Sequence, residues 1–125
     1  RTVGYGDPPA KFVFDDERRR GMAVNSIVSE GTIISGGLVR DSVIGRNVRI
    51  HSYALIEDSI IMDWVEIGRG CRIRKAIIDK ANVILPGTEI GYNPDQDRRR
   101  YFVSETGIVV IPKASDTPET RERNL

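Results

Sequence analysis

From Ile27 onward an aliphatic residue returns on a fixed beat: Ile27, Ile33, Val39, Ile44, Ile50, Ile56, Ile61, Ile67, Ile73, Ile78, Ile84, Ile90. The steps run 6, 6, 5 and repeat, giving a 17-residue cycle over four turns. A period of this kind has to be read before any local element is assigned. Sorted by phase it yields three ladders: Ile27–Ile44–Ile61–Ile78, Ile33–Ile50–Ile67–Ile84 and Val39–Ile56–Ile73–Ile90. A step of six matches neither the 3.6-residue helix nor simple strand alternation. It matches a triangular prism with a short strand on each side, a turn at each corner and one inward aliphatic side chain per side. Composition agrees: 16 Ile and 12 Val stand against 4 Leu, and only 6% of residues are aromatic. β-Branched side chains suit pleated strands, whereas leucine is the usual helix-core residue.

Two residues before the ladder positions, small side chains recur. Gly37, Ala54, Cys71 and Thr88 precede the third ladder, and Asn25, Ser42, Ser59 and Ala76 precede the first. They are expected where the chain bends inward at a crowded corner. The five-residue step carries Arg40–Asp41, Glu57–Asp58 and Arg74–Lys75, so Arg40, Glu57 and Arg74 should stack with alternating sign and hold the coils in register. Coils spaced ~4.8 Å apart would make a prism roughly 20 Å long. Each buried isoleucine contributes ~1.5–3 kcal/mol, but one coil cannot cover its own aliphatic face, so stability must come from stacking.

The flanks do not repeat. Residues 1–20, with Gly4, Gly6, Pro8 and Pro9, read as a linker leading into the coils, with a short strand at Phe12–Phe14 and a charged run after it. The repeat occupies 21–92. Residues 93–113 are expected to form a turn and a capping hairpin, Tyr101–Val103 with Ile108–Ile111 around Glu105-Thr106-Gly107, and 114–125 a flexible tail. The length of 125 residues suits one domain. A net charge of +1 gives no electrostatic case for nucleic acid or an anionic membrane. One cysteine and one histidine exclude an internal disulfide framework and a Cys/His metal cluster. No run approaches a membrane span, and the chain opens on Arg1 with no secretory pattern, as a processed or excised piece would.

Several strings outside the bare repeat are more specific. Pro8-Pro9-Ala10-Lys11-Phe12, Asn25-Ser26-Ile27-Val28-Ser29, Ile33-Ile34-Ser35-Gly36, Val48 to Tyr53, Ile56-Glu57-Asp58-Ser59, Cys71 to Ala76, Ile77-Ile78-Asp79-Lys80, Pro86-Gly87-Thr88 and Asp97 to Tyr101 occur in order. Together, over about residues 8–113, they resemble the C-terminal domain of bacterial glucose-1-phosphate adenylyltransferases. The resemblance implies an all-β fold, the left-handed parallel β-helix of hexapeptide-repeat proteins. It also implies a parent enzyme that makes ADP-glucose and diphosphate from ATP and glucose 1-phosphate for glycogen synthesis in the cytoplasm. The nucleotidyltransferase chemistry and its Mg2+ would belong to a separate N-terminal catalytic domain. This segment, without a Gly-rich phosphate loop, would be inert alone and hold no cofactor. Its implied partners are that catalytic domain, the other subunits of a homotetramer, and anionic effectors such as sugar phosphates and AMP. The residues that match the family's effector positions are Lys80, Lys113, Arg99 and Arg100; the family often has arginine at the first two. Lysine also pairs with phosphate but lacks the bidentate fork.

Other readings stand beside this one. Lys80 and Lys113 taken alone are ordinary solvated lysines, and Arg98 to Arg100 an ordinary turn with one arginine bracing the cap through Asp95 or Asp97. Arg121 and Arg123 lie in the tail. A histidine general base would make a repeat of this type an acyltransferase, with a passive scaffold as the plainer alternative. His51 is the only candidate base, but it follows a ladder isoleucine with no protruding loop nearby. Cys71, in the small-residue phase, reads as a structural thiol. Trp64, on a corner, reads as a contact residue between domains or subunits.

Overall fold

The repeating unit is a strand of two or three residues between corners whose backbone turns left-handed. A computed structural model describes residues 8–14 and 20–114. Its corners lie in three stacks: Asp41, Asp58 and Lys75 at φ 47–51°; Asn47, Trp64 and Ala81 at 55–63°; and Tyr53, Gly70 and Gly87 at 63–75°. Left-handed φ is unfavourable for residues with a Cβ. The corners hold because each amide bonds the coil before it: Asp58 N donates to Arg40 O at 3.2 Å, Trp64 N to Arg46 O at 2.9 Å and Gly70 N to Ser52 O at 2.9 Å.

Three parallel faces result, as the period requires. The first holds Ile27–Val28, Val43–Ile44, Ile60–Ile61 and Ala76–Ile78. The second holds Lys11–Val13, Ile33–Ser35, Arg49–Ile50, Glu66–Ile67 and Val83–Ile84. The third holds Met22–Val24, Leu38–Arg40, Leu55–Glu57, Arg72–Arg74 and Glu89–Ile90. From Val39 onward every ladder isoleucine is buried. Charged residues sit outward on the second and third faces. Arg40 meets Glu57 at 3.2 Å and Arg72 meets Glu89 at 2.9 Å. Arg74 stacks in register on Glu57 as expected, but its side chain turns to the coil above: it donates to Gly91 O at 3.2 Å and, with Arg72, lies on the ring of Tyr92.

The first coil corrects the sequence reading. Val28, not Ile27, pairs with Ile44, and Ile34, not Ile33, pairs with Ile50. Ile27 is 66% exposed and Ile34 fully buried. This coil is one residue short. Between Ile50 and Ala54 stand His51, Ser52 and Tyr53, but between Ile34 and Gly37 stand only Ser35 and Gly36, with Gly36 at φ 74°. Ser52 has no counterpart below, and its hydroxyl donates to Ser35 O at 3.0 Å. A slip of one residue exchanges the two faces of a strand, and the doublets Ile27-Val28 and Ile33-Ile34 are apolar in either phase. The small-residue row therefore begins at Ser26, not Asn25, and it is a hydrogen-bond ladder. Ser26 Oγ accepts from Ser42 N at 3.1 Å, Ser42 Oγ from Ser59 N at 3.1 Å, and Ser59 Oγ from Ala76 N at 3.2 Å.

At the far end the strand Val109–Ile111 adds in parallel to Ala76–Ile78, and Phe102–Val103 pairs antiparallel with it. This is the capping hairpin the sequence implies. The segment before it is a helix, Pro94–Arg100, where the sequence reading has only a turn. Asn93 caps it by accepting from Gln96 N, proline opens it, acids fill its first turn and arginines its last. Asp97, 3% exposed, accepts from Gly91 N at 3.0 Å and fastens the helix to the last coil. Residues 1–7, 15–19 and 115–125 lie outside the described residues. With them go Gly4, Gly6, most of the charged run, and the tail with Arg121 and Arg123.

Candidate functional site

The helix and hairpin cover the end of the coil, and a cleft opens at their junction. The last helical turn presents Arg98, Arg99 and Arg100. Tyr101 N donates to Asp97 O at 2.7 Å, which closes the helix and turns the chain extended into the hairpin. The strand Val109–Ile111 then returns the chain to the same place, so Lys113 emerges opposite the arginines. Arg99, Arg100, Tyr101, Lys113 and Asn82 line an open cleft of about 510 Å³. Among the described residues no carboxylate lines it. Arg98 also faces the cleft but leans on Asp95 at 3.4 Å. Arg99, Arg100 and Lys113 are exposed and have no ion-pair partner among the described residues. A smaller, more apolar recess adjoins through Arg100 and Tyr101, lined by Val83, Ile84 and Leu85. The arrangement can hold an anion at one end and a flat or apolar body at the other.

Of the four residues singled out from sequence, the fold brings three to this cleft: Arg99, Arg100 and Lys113. Lys80 is exposed on the adjoining corner and does not line it. Its backbone takes part: Lys80 O accepts from Ala114 N at 3.2 Å. Sequence reasoning missed Asn82 and Tyr101. Asn82 carried a signal, because it stands in the inward row Thr32, Val48, Val65, Asn82, where two of its three predecessors are apolar and all four are buried.

The other candidates fall elsewhere. His51 Nε2 lies 2.9 Å from a Glu66 carboxylate oxygen on the open second face, both side chains nearly half exposed. Cys71 is fully buried, and its Sγ donates to Leu85 O at 3.0 Å. Burial raises its thiol above the ordinary value, against smaller opposing backbone hydrogen bonds. Trp64 is 66% exposed on its corner. Among the described residues no His/Cys/Asp/Glu group could hold a metal ion, and no helix is long and apolar enough to cross a membrane.

Comparison with known proteins bears on this geometry. The family described as "GlmU-like, C-terminal hexapeptide" matches residues 8–111. The glucose-1-phosphate adenylyltransferase of Deinococcus radiodurans is 54% identical over 114 residues, which cover 90% of this chain and 28% of that protein. The enzyme of the same name from Nitrosospira multiformis is 47% identical over 112 residues, 90% of this chain and 25% of its own length. That of Methylococcus capsulatus is 56% identical over 104 residues, 83% and 24% respectively. The chain spans about a quarter of the length of these curated relatives.

Proposed function

The chain belongs to the GlmU-like C-terminal hexapeptide family, and from that premise we propose that it is the C-terminal regulatory and assembly domain of a glucose-1-phosphate adenylyltransferase. The whole enzyme would convert ATP and α-D-glucose 1-phosphate to ADP-glucose and diphosphate in the cytoplasm, with Mg2+ and the catalytic groups in the remainder of the polypeptide. Two surfaces support a division of labour in which this part regulates and assembles. The outward row of the first face, Ile27, Val43, Ile60, Ile77 and Val110, carries no charge. Val43 and Ile60 are 44% and 42% exposed there. Such a stripe suits the seat of the catalytic domain or of a neighbouring subunit in a homotetramer, and Trp64 offers a further contact.

The observation that carries the regulatory reading is the cleft. Arg99, Arg100 and Lys113 converge in a lining that has no carboxylate among the described residues, which suits a phosphorylated metabolite such as a sugar phosphate or AMP. Arg99 and Arg100 would grip phosphate oxygens through their forks, Lys113 would act as a point charge, and the recess beside Tyr101 would take the sugar or base. Lys80 would join from the adjoining corner by extending its side chain.

The test is the activation curve of the full-length enzyme with fructose 1,6-bisphosphate. Lys113→Ala and the pair Arg99→Ala/Arg100→Ala should each raise the half-activating concentration roughly tenfold or more, the equivalent of one charge-assisted hydrogen bond. Turnover without effector should stay near the parent value. An unchanged curve in both variants would remove the cleft from regulation.

A further inference from the structure

We propose that Asn82 is a positioning residue that aims Lys113 into the cleft; the inference rests on the reading of the cleft as an anion site. Asn82 is 7% exposed and belongs to the inward row of Thr32, Val48 and Val65. In the first coil that row serves the stack: Thr32 Oγ1 donates to Gly45 O at 2.7 Å and accepts from Val48 N at 3.2 Å. Asn82 does something different. Its amide nitrogen donates to Asp79 O at 2.9 Å and to Pro112 O at 2.8 Å. Both partners are carbonyls, so the nitrogen must face them and both of its hydrogens are used. The second bond spans 30 positions and lands on the residue before Lys113.

Two further bonds tie the same strip to the same corner. Asp79 N donates to Ile111 O at 2.9 Å, and Ala114 N donates to Lys80 O at 3.2 Å. Lys113 is thus the one residue of the strip between two anchored neighbours, Pro112 and Ala114. Of the three anchors, two are backbone bonds that any sequence would make. Only the Asn82 anchor depends on a side chain, and Pro112 offers no N–H with which to replace it. A flexible lysine gains affinity for an anion when the backbone bearing it is already ordered. A valine at this position would fill the row as Val48 and Val65 do, yet hold nothing.

That comparison supplies the experiment, done in the full-length enzyme with fructose 1,6-bisphosphate as probe and binding followed by calorimetry. Asn82→Val should weaken binding roughly three- to tenfold, as expected for one lost ordering hydrogen bond. Asn82→Gln, which keeps the donor, should recover part of the loss. In a Lys113→Ala background Asn82→Val should have no further effect, whereas a general loosening of the fold would weaken binding in both backgrounds. If the parent binds the probe and Asn82→Val binds it equally well, or if the loss persists undiminished without Lys113, the assignment of Asn82 is wrong. If the parent itself shows no saturable binding, the anion site fails, and the positioning role with it.

Discussion

Ser59 is the most demanding test of how the coils are held. Its hydroxyl does two things: it donates to Glu57 O at 2.7 Å and accepts from Ala76 N at 3.2 Å, in a position 3% exposed. Glu57 O also accepts from Lys75 N at 3.2 Å, so removing the hydroxyl leaves that carbonyl bonded. Ala76 N has no such second partner, and Ala76 is 1% exposed. Ser59→Ala should therefore cost about 1–3 kcal/mol, the penalty for an orphaned buried donor plus one modest bond. Alanine creates no packing problem, because Ala76 occupies the same row one coil above. The reverse change, Ala76→Ser, should be near neutral. The next strand beyond Ala76 is Val109–Ile111, and Val109 N already donates to Lys75 O at 3.0 Å, so no N–H waits for a hydroxyl. Urea unfolding of the chain reads both values, with the slope m expected to stay constant. On heating, Ser59→Ala should lower Tm by roughly 4–8 °C per kcal/mol lost. A cost for Ser59→Ala below about 0.5 kcal/mol would refute the ladder as a stabilising device. So would an equal gain from Ala76→Ser, since the argument depends on the stacked N–H and not on serine itself.

Other expectations follow from single contacts. Gly91 has φ 91°, and a Cβ there would overlap the Arg74 carbonyl, so Gly91→Ala should lower Tm and undock the helix that bears Arg99 and Arg100. Circular dichroism and probe binding should fall together; a variant with parent Tm would show that the last coil can relax. Cys71, with its thiol held above the ordinary value by burial, should resist iodoacetamide at neutral pH until the chain unfolds. Its sign in pH is fixed. A raised folded pKa stabilises the fold fully below the unfolded thiol's value, and that stability is lost as pH rises from there toward the folded value. Cys71→Ala, matching Ala54 in the same row, should therefore flatten the stability profile above about pH 9, and a slope identical to the parent's would locate the loss in other groups.

What could be read from the chain beforehand divides along the line between repetition and its interruption. From Val39 to Ile90 the phase is over-determined: every turn repeats the same inward isoleucine, and an error at one position contradicts the others. At the start, Ile27-Val28 and Ile33-Ile34 offer an apolar residue in both phases, so the missing residue beside Gly36 leaves no mark in a count of isoleucines. Its mark is chemical: Gly36-Gly37 where later coils have Ser52-Tyr53-Ala54 and its equivalents. The helix was readable too, since Asn93-Pro94 followed by acids and then arginines is an N-cap, a first-turn proline and a charge order matched to the helix dipole. Only the pull of a turn signature in Gly91-Tyr92-Asn93-Pro94 hides it.

Neither the period nor its interruption reports the cleft, three of whose residues are singled out only through the family resemblance, and the reason is physical. In a solenoid, contacts along the repeat join residues about 17 apart, so periodicity reports them. The end of a solenoid has no next coil, and the chain must return over a non-repeating distance to cover it. Asn82 reaching Pro112 across 30 positions is such a return, as is the pairing of Ile78 with Ile111. The residues that line the cleft are therefore brought together by the cap and not by the period. A repeated position is constrained by the positions above and below it and has little freedom to become a site. The terminal coil is constrained from one side only. Polar substitutions such as Asn82 can enter its inward row at small cost there, because the cap supplies a partner that a neighbouring coil would not. Function on this scaffold is thus expected where the ladder stops, which is where Arg99, Arg100 and Lys113 stand.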